Sequence, residues 1–158
     1  MSTTDKRPTS QPTGRRVLAA GLFAATLSTA INLAIRALVL GLLDNPEVPY
    51  PLVLRPVIEF TFLPSLFGTL LFLFLRRVTT RPVHWFTIAA AAVLVLSWIA
   101  PVVLFVHDDI TAGVLVALMI MHTTPAVLLV TTLRTITRTA ATATPPPRTD
   151  DKQQHTAQ

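Results

Sequence analysis

Four apolar blocks constrain this chain most: residues 17–43, 57–75, 85–106 and 110–133 are each almost free of charge. A helix rises 1.5 Å per residue, so about 20 apolar residues cover a hydrocarbon slab ~30 Å thick. All four blocks meet that length. None shows the period-two alternation, separated by turns, of a membrane β-barrel. The expectation is an all-α fold, a four-helix transmembrane bundle. Its helices run at about 17–43, 57–75, 85–106 and 110–133 within one domain of residues 15–138.

The charge pattern supports this and orients it. Charged residues make up 13% of the chain and apolar residues 51%, against about 25% charged in soluble domains. Lys6, Arg7, Arg15 and Arg16 precede the first block. Arg76, Arg77 and Arg81 lie between the second and third, and Arg134, Arg138, Arg148 and Lys152 follow the fourth. Eleven of thirteen basic residues thus fall on one side, whereas the opposite loops carry Asp44, Glu47, Asp108 and Asp109. The positive-inside rule puts the basic side, and so both termini, in the cytoplasm of a bacterium, with the bundle multi-pass in its plasma membrane. Arginine outnumbers lysine eleven to two, a bias shared with high-GC bacteria.

A net charge of +5 raises the question of nucleic acid. The basic residues sit beside apolar blocks, where they set orientation and meet anionic headgroups. No basic face interleaved with aromatics follows any soluble segment, so no nucleic-acid partner is expected. The first partner is the lipid bilayer.

Residues 1–14 and 139–158 are polar and rich in Ser, Thr and Pro, and Pro145, Pro146 and Pro147 break any helix. Both segments read as disordered cytoplasmic tails. The loop from 44 to 56 holds Pro46, Pro49, Pro51, Pro56 and Tyr50, and should lie extended on the outer interface. The turn at 107–109 is so short that helices three and four must form an antiparallel hairpin. Trp85 falls where an interfacial anchor belongs. A rival reading takes Arg15-Arg16-Val17-Leu18-Ala19 as a twin-arginine export signal cleaved after Ser28-Thr29-Ala30. The apolar run continues well past Ala30, which favours an anchored helix. A mature N-terminus at Ile31 in mass spectrometry would reverse that reading.

Ionisable and amide side chains inside these blocks are the candidate functional residues: Asn32, Arg36, Glu59 and His122. A charge at mid-bilayer costs about 2.5–3.5 kcal/mol on insertion scales, so such residues face the interior and find partners. Arg36, Asn32 and Thr29 follow one another at helical spacing. Either Arg36 or Arg55 is expected to pair with Glu59. The pair is either a substrate or proton site or a clamp holding two helices in register. His122, at the depth of Asn32, either relays protons or donates one interhelical hydrogen bond. Pro64, Pro101 and Pro125 each remove a backbone hydrogen bond and should kink their helices. Gly21, Gly68 and Gly113 are expected close-packing points, although no GxxxG pair is present.

Catalytic and cofactor chemistry finds no foothold. The chain has no cysteine, which excludes disulfides, thiolate catalysis and iron–sulfur clusters. His122 stands alone and makes a poor metal ligand. His107, Asp108 and Asp109 read as a solvated turn. There is no HExxH, no G-x-S-x-G elbow and no acidic cluster of the phosphatidyltransferase kind. No metal or cofactor is expected, and the chain does not read as an enzyme.

The Arg15-Arg16 anchor, Asn32, the proline-rich loop, the Arg76-Arg77 turn and Met121-His122 together resemble a group of small four-helix actinobacterial membrane proteins of unknown function. The resemblance covers about residues 15–138 and implies a shared fold in a bacterial cell membrane. It carries no activity. Small multidrug exporters also have four helices but use a carboxylate in the first; here that helix holds Arg36 and no acid. Two functional readings follow. One is a non-enzymatic interaction or accessory subunit, associating with a membrane protein or a second copy. The other is a small oligomeric transporter or channel lined by Asn32, Arg36, Glu59 and His122.

Overall fold

The computed structural model describes residues 12–42, 48–107 and 109–142. Helix α1 spans Gly14–Leu42, α2 Leu54–Val78, α3 Pro82–Ser97, α4 Ile99–Val106 and α5 Ala112–Thr142, with a 3-10 turn at Tyr50–Leu52. Among the described residues there is no strand. Helices α3 and α4 together make one span, Pro82–Val106, so four helices are long and apolar enough to cross a membrane. The expected four-helix architecture is observed.

The helices run longer than the apolar blocks. Helix α1 starts at Gly14, inside the segment expected to be disordered, because Thr13 caps it: the Arg16 N–H donates to Thr13 Oγ1 (3.4 Å) and the Val17 N–H to the Thr13 carbonyl (3.2 Å). Pro12 is fixed too, its carbonyl accepting from an Arg76 guanidinium N–H at 2.6 Å. Helix α5 continues through residues 139–142, which were also expected to be disordered. Ala140 is a strong helix former, and Thr135, Thr139 and Thr142 each return their hydroxyl to a carbonyl four residues back. At 1.5 Å per residue the 31 residues of α5 reach about 46 Å, well beyond a ~30 Å slab. Helix α2 likewise gains Leu54, Arg55 and Pro56 at one end and Arg76, Arg77 and Val78 at the other. The two arginines there complement the negative end of the helix dipole. The remaining tail residues, Leu43, Asp44, Glu47 and Asp108 lie outside the described residues.

Pro64 and Pro125 stand inside unbroken helices. The third span instead breaks at Trp98, three residues before Pro101. Pro101 has no N–H for the Ser97 carbonyl, so the ladder is already interrupted there. The Trp98 N–H keeps its regular partner, the Leu94 carbonyl, and is shared with the Val95 carbonyl as the turn tightens.

Helix α1 lies along both α2 and α5. The third span packs more lightly: 6% of its apolar stretch is buried, against 28% in each of the other three. Two apolar clusters form the core. At the arginine-rich end, Val17, Ala24, Phe72, Phe86, Leu129 and Leu133 pack together, with the Phe72 and Phe86 rings edge-to-face at 5.3 Å. At the other end lie Leu52, Val57, Ile110, Val114, Leu118 and Met121. Val17 and Ala24 of α1 belong to the first of these clusters.

Candidate functional site: a polar layer between two apolar clusters

Buried residues on α2 recur every four positions, at Val57, Thr61, Ser65 and Thr69, which places them in one row along the helix. The hydroxyls of Thr61, Ser65 and Thr69 donate to the carbonyls of Val57, Thr61 and Ser65 at 2.6 to 2.8 Å. Each polar group is thereby satisfied within its own helix, and the row stays narrow. The facing side of α1 is also small: Gly21, Ala24, Ala25, Ser28 and Asn32. Gly21 sits directly on Thr69, where an added Cβ would collide with the Thr69 hydroxyl and methyl. Small residues of this kind let membrane helices approach closely.

Asn32 is 1% exposed at the level between the two apolar clusters. Its Nδ2 donates to Thr61 Oγ1 at 3.0 Å and to the Met121 carbonyl at 2.8 Å. The amide orientation follows from the partners. Thr61 has already given its proton to Val57, and a carbonyl only accepts, so both contacts require the NH2 group. The Met121 carbonyl is free to accept because Pro125, four residues on, has no N–H to offer it. One amide therefore joins α1, α2 and α5. Its Oδ1 and the Trp98 Nε1 are the buried side-chain atoms left without a partner among the described residues.

The other candidates are elsewhere. Arg36 donates from Nε to the Leu52 carbonyl at 2.7 Å, tying α1 to the 3-10 turn. It does not reach Glu59. Arg55 does, at 2.7 Å, but both residues are on α2, Arg55 exposed and Glu59 half-buried. The pair therefore holds no two helices in register, which corrects the clamp expected from the sequence. His122 Nδ1 lies 2.7 Å from the Leu118 carbonyl, and the ring lines a cleft between α2, α3 and α5, away from Asn32. The four residues thus occupy separate environments. Among the described residues no group of three or more His, Asp or Glu could hold a metal.

Gly68 meets Leu129 Cδ2 at 2.6 Å from an added Cβ, as expected of a packing point. Gly113 does not: nothing lies within 4 Å, because it sits on the exposed first turn of α5. Thr61 and the Met121 carbonyl were not anticipated. The four-residue spacing of Thr61, Ser65 and Thr69 was a readable signal for the first. The pairing of Pro125 with position 121 was a readable signal for the second.

A family of unknown function (DUF6069) matches residues 8–139, a stretch that takes in three of the four spans and all but the last residue of the fourth. The chain belongs to DUF6069. The family description assigns no activity, so the reading of this DUF6069 protein rests on its own geometry. No curated protein and no solved structure matches it.

Proposed function

We propose that this protein is a non-enzymatic accessory or interaction subunit of a membrane assembly. One observation carries the reading. The outward side of α1 presents Thr26, Ala30 and Ala34 at four-residue spacing, all exposed, while the opposite side of α1 is occupied by α2 and α5. Such small-xxx-small rows, built from Gly, Ala, Ser or Thr, allow the backbone of a second membrane helix to come close. The helix that meets it belongs to a membrane-protein partner or to a second copy of the chain.

The setting we propose is the plasma membrane of a bacterium, an actinobacterium as the family resemblance implies, with both termini cytoplasmic. The support is the arginine distribution, with Arg15, Arg16, Arg76, Arg77, Arg81, Arg134 and Arg138 at one end of the bundle. Three of the four candidate polar residues give the transporter alternative no support. Asn32 is enclosed by three helices, Arg36 is engaged by Leu52, and Glu59 lies beside Arg55 on an exposed face.

Crosslinking in native membranes followed by mass spectrometry tests this reading. The expected result is a crosslink from α1 to a partner, weakened at least fivefold by Ala30→Leu. Because Ala30 is exposed, that change leaves the bundle intact. Recovery of uncrosslinked monomer alone would sink the proposal.

A further inference from the structure

Between α2, α3 and α5 the bundle leaves a cleft of about 550 Å³, with aromatic walls from Phe60, Phe67 and Phe86. That volume lies within the ~300–1,000 Å³ typical of small-molecule sites. His122 is in the lining, ten residues into α5. At 1.5 Å per residue this is about 15 Å from the helix start, close to the middle of a ~30 Å slab.

The polar groups of the cleft are few and share one property. The Ser65 and Ser97 hydroxyls have given their protons to the carbonyls of Thr61 (2.8 Å) and Leu94 (2.7 Å). The Leu118 carbonyl only accepts, so the His122 Nδ1 facing it at 2.7 Å carries the hydrogen. In the neutral ring Nε2 is then a lone-pair acceptor, and no described residue donates to it. Pro64 and Pro101 withhold the N–H groups that the carbonyls of Phe60 and Ser97 would otherwise receive, and both of those residues line the cleft. Among its described lining residues the cleft is an apolar chamber that offers acceptors and no free donor.

We propose that the cleft binds a membrane-borne lipid alcohol, a hydrocarbon body with a hydroxyl head whose O–H donates to His122 Nε2. Phospholipid fits less well. Its acceptor-rich headgroup stays at the interface, about 15 Å away, so only an acyl chain would enter and Nε2 would stay unpaired. The site lies on a different side of the bundle from the small-residue row of α1, so it stands or falls separately from the subunit reading.

Full-length protein in phosphatidylcholine nanodiscs is irradiated with a diazirine-bearing long-chain alcohol and, in parallel, with its O-methyl ether. One hydrogen bond in a site without water predicts about tenfold more labelling by the alcohol, mapped to cleft residues of α2, α3 or α5. Ala90→Phe, which fills the cleft from α3, should abolish labelling, and His122→Ala should bring the alcohol-to-ether ratio near one. Val116→Phe, on an exposed side of α5, should change neither. Equal labelling of the wild-type protein by alcohol and ether, or label spread over all lipid-exposed faces, would mark an ordinary lipid-filled gap and overturn the proposal. That comparison needs no variant, so poor folding of Ala90→Phe cannot mask it. Undiminished labelling of well-folded Ala90→Phe would overturn it equally.

Discussion

Asn32 and Pro125 are joined through one carbonyl. The proline withholds the backbone N–H that Met121 would receive in an uninterrupted helix, and the Asn32 amide supplies a donor from α1 at 2.8 Å. A defect in α5 is thus repaired by a side chain of another helix.

The repair can be measured. Asn32→Ala removes two interhelical hydrogen bonds and should cost about 1–2 kcal/mol in detergent unfolding, at ~0.6 kcal/mol or somewhat more per bond. Asn32→Asp should cost more, since a protonated carboxyl has one hydrogen for two acceptors and an ionised one has none. Pro125→Ala restores an intrahelical donor to Met121, so it should recover part of the Asn32→Ala loss. Strict additivity of the two changes would refute the link.

Two glycines on different helices should respond in opposite directions. Gly21→Ala drives a methyl into Thr69 and should destabilise by about 1–3 kcal/mol, the usual range for overpacking. Gly113→Ala meets open space and should stabilise by up to ~1 kcal/mol through helix propensity. Thermal denaturation of the two purified variants checks both signs.

Arg55 and Glu59 are i,i+4 neighbours whose side chains are 84% and 45% exposed. An ion pair of that kind contributes little, because solvent and headgroups screen it and two long side chains must be ordered. Glu59→Gln should leave the melting midpoint within error of wild type. A clear loss would mean that Glu59 has a partner on another helix.

How much of this was legible beforehand depends on the range of the forces involved. The spans were readable because burial in lipid acts on every residue of a block, so composition alone reports it. Helix ends were readable only in part: Thr13 as a cap and Ala140 as a helix former are local signals that apolar windows ignore. The partner choice of Arg36 was not readable. Leu52 accepts through its backbone, and a carbonyl carries no mark in sequence. The cleft beside His122 was hidden for a similar reason, since it depends on how lightly the third span packs rather than on which residues it contains. The outward row Thr26, Ala30 and Ala34 was present in sequence, but its meaning waited on knowing which side of α1 its neighbours leave open.

Arg36 itself gives the last test. Its Nε holds the Leu52 carbonyl at 2.7 Å, and Leu52 is fully buried at the heart of the second apolar cluster. Six residues separate Arg36 from the end of α1 at Leu42, so the guanidinium lies about 9 Å below that end. It reaches a backbone acceptor near the interface by extending its stem along apolar surface. Removing the guanidinium releases the Tyr50–Leu52 turn without touching the polar layer. Arg36→Ala should therefore speed amide exchange at Leu52 and Val53 about fivefold, the effect of losing ~1 kcal/mol of local hydrogen bonding. Exchange at the Thr61 and Met121 amides, in the helices that Asn32 ties together through the Thr61 hydroxyl and the Met121 carbonyl, should stay as in wild type. Equal acceleration at both places would mean that Arg36 supports the whole bundle and not the turn alone.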